Sequence, residues 1–247
     1  GGEGWCNVND PALHHGDMLD LLPGLPVVDL VFTSPPYEDA RTYGVGFALK
    51  GDAWVQWAAD RFMACLDRCR GAVCWVVAGR TRGYQWSATP ALLMGELHRR
   101  GAVLRNPPVY SRVGIPGSGG PDWFRSDYEW VVCATKQAGR LAWSEPTACG
   151  HPPKFPVGGA MSNRTAEGER INRRKCGDAT NAMAHKRRAG YGAPKKANPG
   201  NVIDCAVGGG HMGSRLAHEN EAPFPEKLAE FFIRSLCPPG GTVLDPF

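Results

Sequence analysis

An apolar run, Val27-Val28-Asp29-Leu30-Val31-Phe32, passes directly into Thr33-Ser34-Pro35-Pro36-Tyr37. This junction limits what the chain can fold into. A run that is apolar on both faces reads as a central parallel strand covered from both sides. In an open α/β sheet, ligands bind beyond the carboxyl ends of such strands. The two prolines fix φ, and Pro36 restricts Pro35 as well, so the carbonyls there point in set directions. A hydroxyl, rigid acceptor carbonyls and an aromatic face suit a flat base bearing an exocyclic amine. A Pro-Pro turn that only ends a strand is the plainer reading of the same five residues.

The rest of the chain supplies more pieces of such a sheet. Leu13-His14-His15 before Gly16-Asp17 reads as a short strand and turn. Residues 38–51 are Gly-rich and aromatic and read as a loop over the site. Asp52 is placed to cap a helix reaching about Arg70, with Trp54, Ala58, Phe62 and Leu66 at helical spacing and Gly71 as a stop. Ala72–Ala78 is a second apolar strand. Thr89-Pro90 opens a helix that ends before Gly101. Strands are expected near 102–105 and 128–135, a helix from Pro225 to about Leu236, and a last strand at 242–245. This alternation predicts a parallel sheet covered on both faces.

The 247 residues suit one domain with a long insertion, or two small domains. No run of about 18 apolar residues is present, so no membrane span is expected, and the N-terminus shows no signal-peptide pattern. Several of the nine cysteines (Cys65, Cys69, Cys74, Cys133) sit inside apolar elements and read as buried thiols. A reduced, cytoplasmic setting follows as the expectation. Cys149 with His151, or Cys205 with His211, could ligate a metal, but without a Cys-x-x-Cys pair none is assigned.

The net charge of +4 hides an asymmetry. Residues 161–200 hold ten basic side chains: Arg164, Arg170, Arg173, Arg174, Lys175, Lys186, Arg187, Arg188, Lys195 and Lys196. Only Glu167, Glu169 and Asp178 oppose them. Clustered positive charge in a segment without periodicity is the footprint of phosphate contacts or of a solvated basic loop. Residues 139–215 as a whole lack periodicity and read as a recognition insert. The expected organisation is a catalytic α/β portion at 1–138, the insert at 139–215, and a return to the catalytic portion at 216–247.

The chain closes with Pro238-Pro239-Gly240-Gly241-Thr242-Val243-Leu244-Asp245-Pro246-Phe247. Together with Thr-Ser-Pro-Pro-Tyr this resembles the DNA amino-methyltransferases, which methylate cytosine N4 or adenine N6. His218 to Leu228 is similar to the family's segment before the last helix, and His15-Gly16-Asp17 to its Gly-Asp step. The catalytic motif precedes the cofactor motif, as in the permuted, β-type members. The glycine-rich segment that continues Asp-Pro-Phe in that family would begin past Phe247, so the sequence is expected to omit a C-terminal piece.

The resemblance implies a Rossmann-like sheet with helices on both faces and S-adenosylmethionine as cofactor. It assigns catalysis to Ser34, Pro35, Pro36 and Tyr37. It assigns the cofactor to Asp17, Thr33, Pro223, Phe224, Pro225, Asp245, Pro246 and Phe247. Asp17 reads equally as a capping Asp, Asp245 as a strand-ending turn, and Pro223 to Pro225 as a helix start. The partner implied is double-stranded DNA, bound through the ten basic residues above, and the permuted members often pair as homodimers. Serine at the motif's first position leans toward cytosine N4. Adenine N6, structured RNA as substrate, and a binding module without catalysis are the alternatives.

Overall fold

The computed structural model describes residues 11–38, 47–114, 119–153, 167, 195–207 and 224–247. Two compact units divide the chain, Gly1–Glu145 with Gly200–Phe247, and Pro146–Pro199. The first holds a sheet with strand order β8-β6-β7-β2-β1-β9, in which β1 is Val28–Thr33, β2 Cys69–Val77, β6 Val109–Val113, β7 Tyr128–Thr135, β8 Val202–Ala206 and β9 Val243–Leu244. A hairpin of β3 (Thr81–Arg82) and β4 (Gln85–Trp86) stands apart, and β5 (Val103–Leu104) pairs with β7. The helices are α1 (Met18–Leu21), α2 (Gly51–Asp67), α3 (Thr89–Arg99) and α4 (Glu226–Leu236).

All six residues of β1 are buried, as a strand covered on both faces requires. Alternation along β2 divides the core. Val73, Trp75 and Val77 meet α2 and α3 through Trp54, Ala58, Phe62, Leu66, Leu93 and Leu97. Ala72, Cys74 and Val76 face the other way, toward Leu228 and Phe232 of α4. Helices therefore lie on both faces of an α/β sheet. Each large apolar side chain closed off in this way stabilises the fold by roughly 1.5–3 kcal/mol. Cys65, Cys69, Cys74 and Cys133 are buried free thiols. Burial pushes Cys65 up to about 12 and Cys69 to about 11, which keeps both protonated.

The sheet is not all parallel, contrary to the expectation from alternation. β2 and β9 run parallel to β1, but β7 is antiparallel to β2, β5 and β6. The connection from β6 to β7, residues 114–127, shows no crossover helix among its described residues. It returns the chain along the neighbouring line, and that geometry permits only antiparallel pairing.

Four local expectations change. Val202–Ala206 is strand β8, parallel to β6, although it falls in the stretch that looks aperiodic. Its burial alternates with Ile203 and Cys205 inward, too short a pattern to stand out beside Gly and Pro. Leu13–His15 forms no strand; Asp17 instead caps α1, accepting a hydrogen bond from Leu19 N at 2.9 Å. Asp52 lies in the first turn of α2 and does not cap it; Glu38 Oε1 accepts from Gly51 N at 2.8 Å. Finally, α2 stops at Asp67, so β2 already begins at Cys69. There Gly71 passes so close that an added Cβ would stand 2.0 Å from the Asp29 carbonyl.

In the second unit, His151 and Ala197 form an antiparallel bridge, Ala197 N donating to His151 O at 2.8 Å. Among the described residues no helix is long and apolar enough to cross a membrane, and no group of His, Cys, Asp and Glu could hold a metal ion.

Candidate active site

β1 delivers Thr33 to Tyr37 at the carboxyl edge of the sheet, where β9 ends beside it. Thr33 Oγ1 donates to Asp245 Oδ1 at 2.5 Å, and Phe247 N donates to the same oxygen at 3.2 Å. The two motifs are thereby joined side by side. Burial raises the Asp245 carboxyl above the ordinary carboxylate range, partly offset by the Thr33 hydroxyl and the Phe247 amide. Asp245 is nonetheless surface-accessible, so its carboxylate occupies a crowded cleft and not a sealed core.

The Ser-Pro-Pro-Tyr segment is held from two directions. Trp54 Nε1 of α2 donates to the Pro36 carbonyl at 2.9 Å. On the other side the Tyr37 hydroxyl donates to Glu129 Oε2 of β7 at 2.6 Å. Glu129 in turn meets Arg112 Nη1 of β6 at 3.3 Å, and Arg112 Nη2 donates to Ser126 O at 2.8 Å. Pro35 is buried, while Ser34, Pro36 and Tyr37 are half-buried. The segment is thus partly open to a ligand while its backbone is pinned.

Phe247 stands edge-on to Trp75, with ring centroids 5.3 Å apart, and lies 5.8 Å from Trp57. The Arg61 guanidinium sits 4.6 Å over the Trp57 ring and pairs with Asp17 at 2.8 Å. Asp17 is therefore linked to Phe247 through Arg61 and Trp57. Its carboxyl is held below the usual range by the Leu19 amide first, then by Arg61, which is the capping arrangement. Thr33, Asp245 and Phe247 come together, with Pro246 half-buried between the last two.

Phe224 does not join them. It packs edge-on against Phe32 at 5.2 Å on the α4 side, and Phe32 stacks on Phe232 at 4.9 Å. Pro225 is the buried N-cap residue of α4. Pro223 and the basic residues Arg164, Arg170, Arg173, Arg174, Lys175, Lys186, Arg187 and Arg188 lie outside the described residues. Lys195 and Lys196 belong to the second unit, where Lys195 is exposed. Glu129, Arg112 and Trp57 are not marked by any motif, and the spacing that puts Trp54 on the buried face of α2 does not reveal its bond to Pro36. An acid in the otherwise apolar run 128–135 was the one available signal for Glu129.

Solved structures share this fold. The PvuII DNA methyltransferase, cytosine-N4-specific, matches with a TM-score of 0.62 at 17% identity, over 93% of this chain and 71% of that one. A candidate DNA modification methylase from Thermus thermophilus matches with a TM-score of 0.50 at 19% identity, over 94% and 77%. No curated protein matches the chain. Residues 28–247 match the family described as DNA methylase, N6_N4_Mtase. With that match spanning most of its length, the chain belongs to this family of S-adenosylmethionine-dependent DNA amino-methyltransferases.

Proposed function

We propose that the chain methylates the exocyclic amine of a base extruded from double-stranded DNA, with cytosine N4 as the preferred target. The Thr33–Asp245 hydrogen bond carries the reading, because it sets the Ser-Pro-Pro-Tyr segment beside the Asp-Pro-Phe segment. The residues present fit the cofactor. Asp245 offers a carboxylate to a cationic amino group, and the exposed edge of Phe247 offers an apolar face to adenine. S-adenosylmethionine, when bound, supplies a methyl group already activated by its sulfonium.

A base amine is a weak nucleophile, since its lone pair is delocalised into the ring. Ser34 Oγ and the Pro35 carbonyl are assigned to accept its two hydrogens, so that the nitrogen becomes pyramidal and presents its lone pair. The same oxygens stabilise the positive charge that develops there. Tyr37, held by Glu129, stacks on the base and fixes its plane. No strong base is required; positioning supplies the rate. Serine at the motif's first position favours cytosine, and the basic residues of 161–200 are assigned to backbone phosphates. In this reading 139–215 recognises the target sequence.

Nucleoside mass spectrometry of duplex DNA incubated with labelled S-adenosylmethionine tests the proposal. N4-methylcytosine, absent with Ser34→Ala, is expected. N6-methyladenine would overturn the base preference, and no methylated base at all would overturn the activity.

A further inference from the structure

The exposed aromatic side chains among the described residues are Tyr84, Trp86, Trp123, Phe124, Tyr128 and Phe247. All six leave the sheet at its carboxyl edge. The β3–β4 hairpin follows the carboxyl end of β2. Residues 114–127 join the carboxyl end of β6 to the start of β7, since Ser111 pairs with Tyr128 and Val77 with Trp130. Because β7 lies between β6 and β2, the two connections sit side by side, next to the end of β1. The exposed aliphatic side chains show no such restriction: Val27, just before β1, and Val202, at the start of β8, lie at the opposite edge.

We infer that Tyr84, Trp123 and Phe124 form a stacking surface for unstacked nucleobases of DNA. The inference rests on the function proposed above and extends it to the strand around the extruded base.

Tyr84 carries the most weight. Arg82 pairs with Gln85, leaving Gly83 and Tyr84 as a two-residue turn with φ of 52° and 64°. Such a turn calls for Asn, Asp or Gly at both positions. A tyrosine there is strained, and it stands 79% exposed, with little packing to compensate. Strain of this kind is retained where a function uses the residue. The hairpin is anchored behind it, because the Trp86 ring lies on Gly79, where an added Cβ would come within 2.2 Å of Nε1.

Trp123 and Phe124 are presented in a similar way. The loop folds onto Gly119, at φ 81°, where a Cβ would stand 2.7 Å from Arg125 N and 2.9 Å from Trp123 O. The two rings project at 75% and 84% exposure with centroids 5.5 Å apart. Arg80 and Arg82 accompany Tyr84 on the hairpin, and Arg125, paired with Asp127 at 3.4 Å, follows Phe124. Base–aromatic stacking beside positive charge is how proteins grip unpaired strands with little sequence preference.

The test compares binding of a 20-base-pair duplex with the same duplex carrying a central unpaired bubble, without cofactor. Wild type is expected to prefer the bubble by about tenfold or more. Tyr84→Ala/Trp123→Ala/Phe124→Ala should lose that preference while holding the paired duplex within about twofold, with an unchanged salt slope. A second variant, Tyr84→Asn, relieves the turn and should raise the urea midpoint while weakening bubble binding several-fold. A bubble preference retained in the triple variant, or missing in wild type, overturns the inference. So does a wild-type dimer that the triple variant converts to monomer, which would assign the rings to a second copy of the chain. The assay reads no methylation, so its failure leaves methyl transfer, measured separately, in place.

Discussion

Thr33 Oγ1 and Asp245 Oδ1, 212 positions apart in sequence, are joined by a 2.5 Å hydrogen bond at the carboxyl edge of the sheet. It locks the end of β1 to the end of β9. It also supports the ionised form of a carboxyl that burial works against.

Thr33→Val keeps the β-branched shape and removes the donor. Because that donor lowers the Asp245 pKa, the carboxyl should rise further, and S-adenosylmethionine affinity should begin to fall at a higher pH than in wild type. The sign follows from the charge state. The carboxylate is the form that pairs with a cation, so affinity is lost as pH falls through the raised pKa, sooner than for an ordinary carboxylate. Calorimetric titration across pH checks this. A pH profile in Thr33→Val superimposable on wild type would remove Asp245 from the cofactor site.

Tyr37 and Glu129 make a second prediction. Glu129→Ala frees the Tyr37 ring from β7 and should lower kcat by about tenfold or more, since small misplacements near the reacting atoms are costly. Glu129→Gln keeps an acceptor oxygen and should recover most of the loss. Equal loss in both variants would mean that the charge, and not the hydrogen bond to Tyr37, matters. Steady-state methylation with each variant decides it.

Trp54→Phe deletes the N–H that holds the Pro36 carbonyl at 2.9 Å and leaves most of the ring in the core. The expected cost is about 1 kcal/mol in denaturant stability, together with a drop in kcat larger than any change in KM. Wild-type turnover in a destabilised Trp54→Phe protein would show that the motif needs no support from α2.

Asp29 concerns stability alone. It accepts from Arg70 Nε at 2.6 Å and from Thr242 N at 2.9 Å, tying β1 to the turn before β9. The Arg70 side chain, chiefly, and the Thr242 amide hold its carboxyl below the usual range, against the cost of burial. The folded state therefore binds this proton more weakly than the unfolded chain. Its contribution is fully present above the ordinary carboxylate pKa of about 3.9 and is lost as pH falls through the depressed value. Asp29→Asn should cost about 2 kcal/mol at pH 7 and progressively less in acid. Urea midpoints measured from pH 7 to pH 3 would show the two curves converging; parallel curves would refute the assignment.

What the sequence determined by itself is local. A largely apolar run makes β1 an interior strand of the sheet, and Trp54, Ala58, Phe62 and Leu66 define the buried face of α2. The two prolines place a rigid segment at the carboxyl end of β1. These features follow from dihedral preference and burial, which neighbouring residues encode. Nothing local reveals that β7 runs against its neighbours, because an apolar strand looks the same in either direction. Nor does it reveal that β8 joins the sheet, since a five-residue edge strand alternates too briefly. The contacts that build the site were likewise decided by tertiary structure: Thr33 with Asp245, Tyr37 with Glu129, Asp17 with Arg61. Each joins polar groups from separate elements, and the distance between them exists only once the sheet has set which strand ends stand side by side.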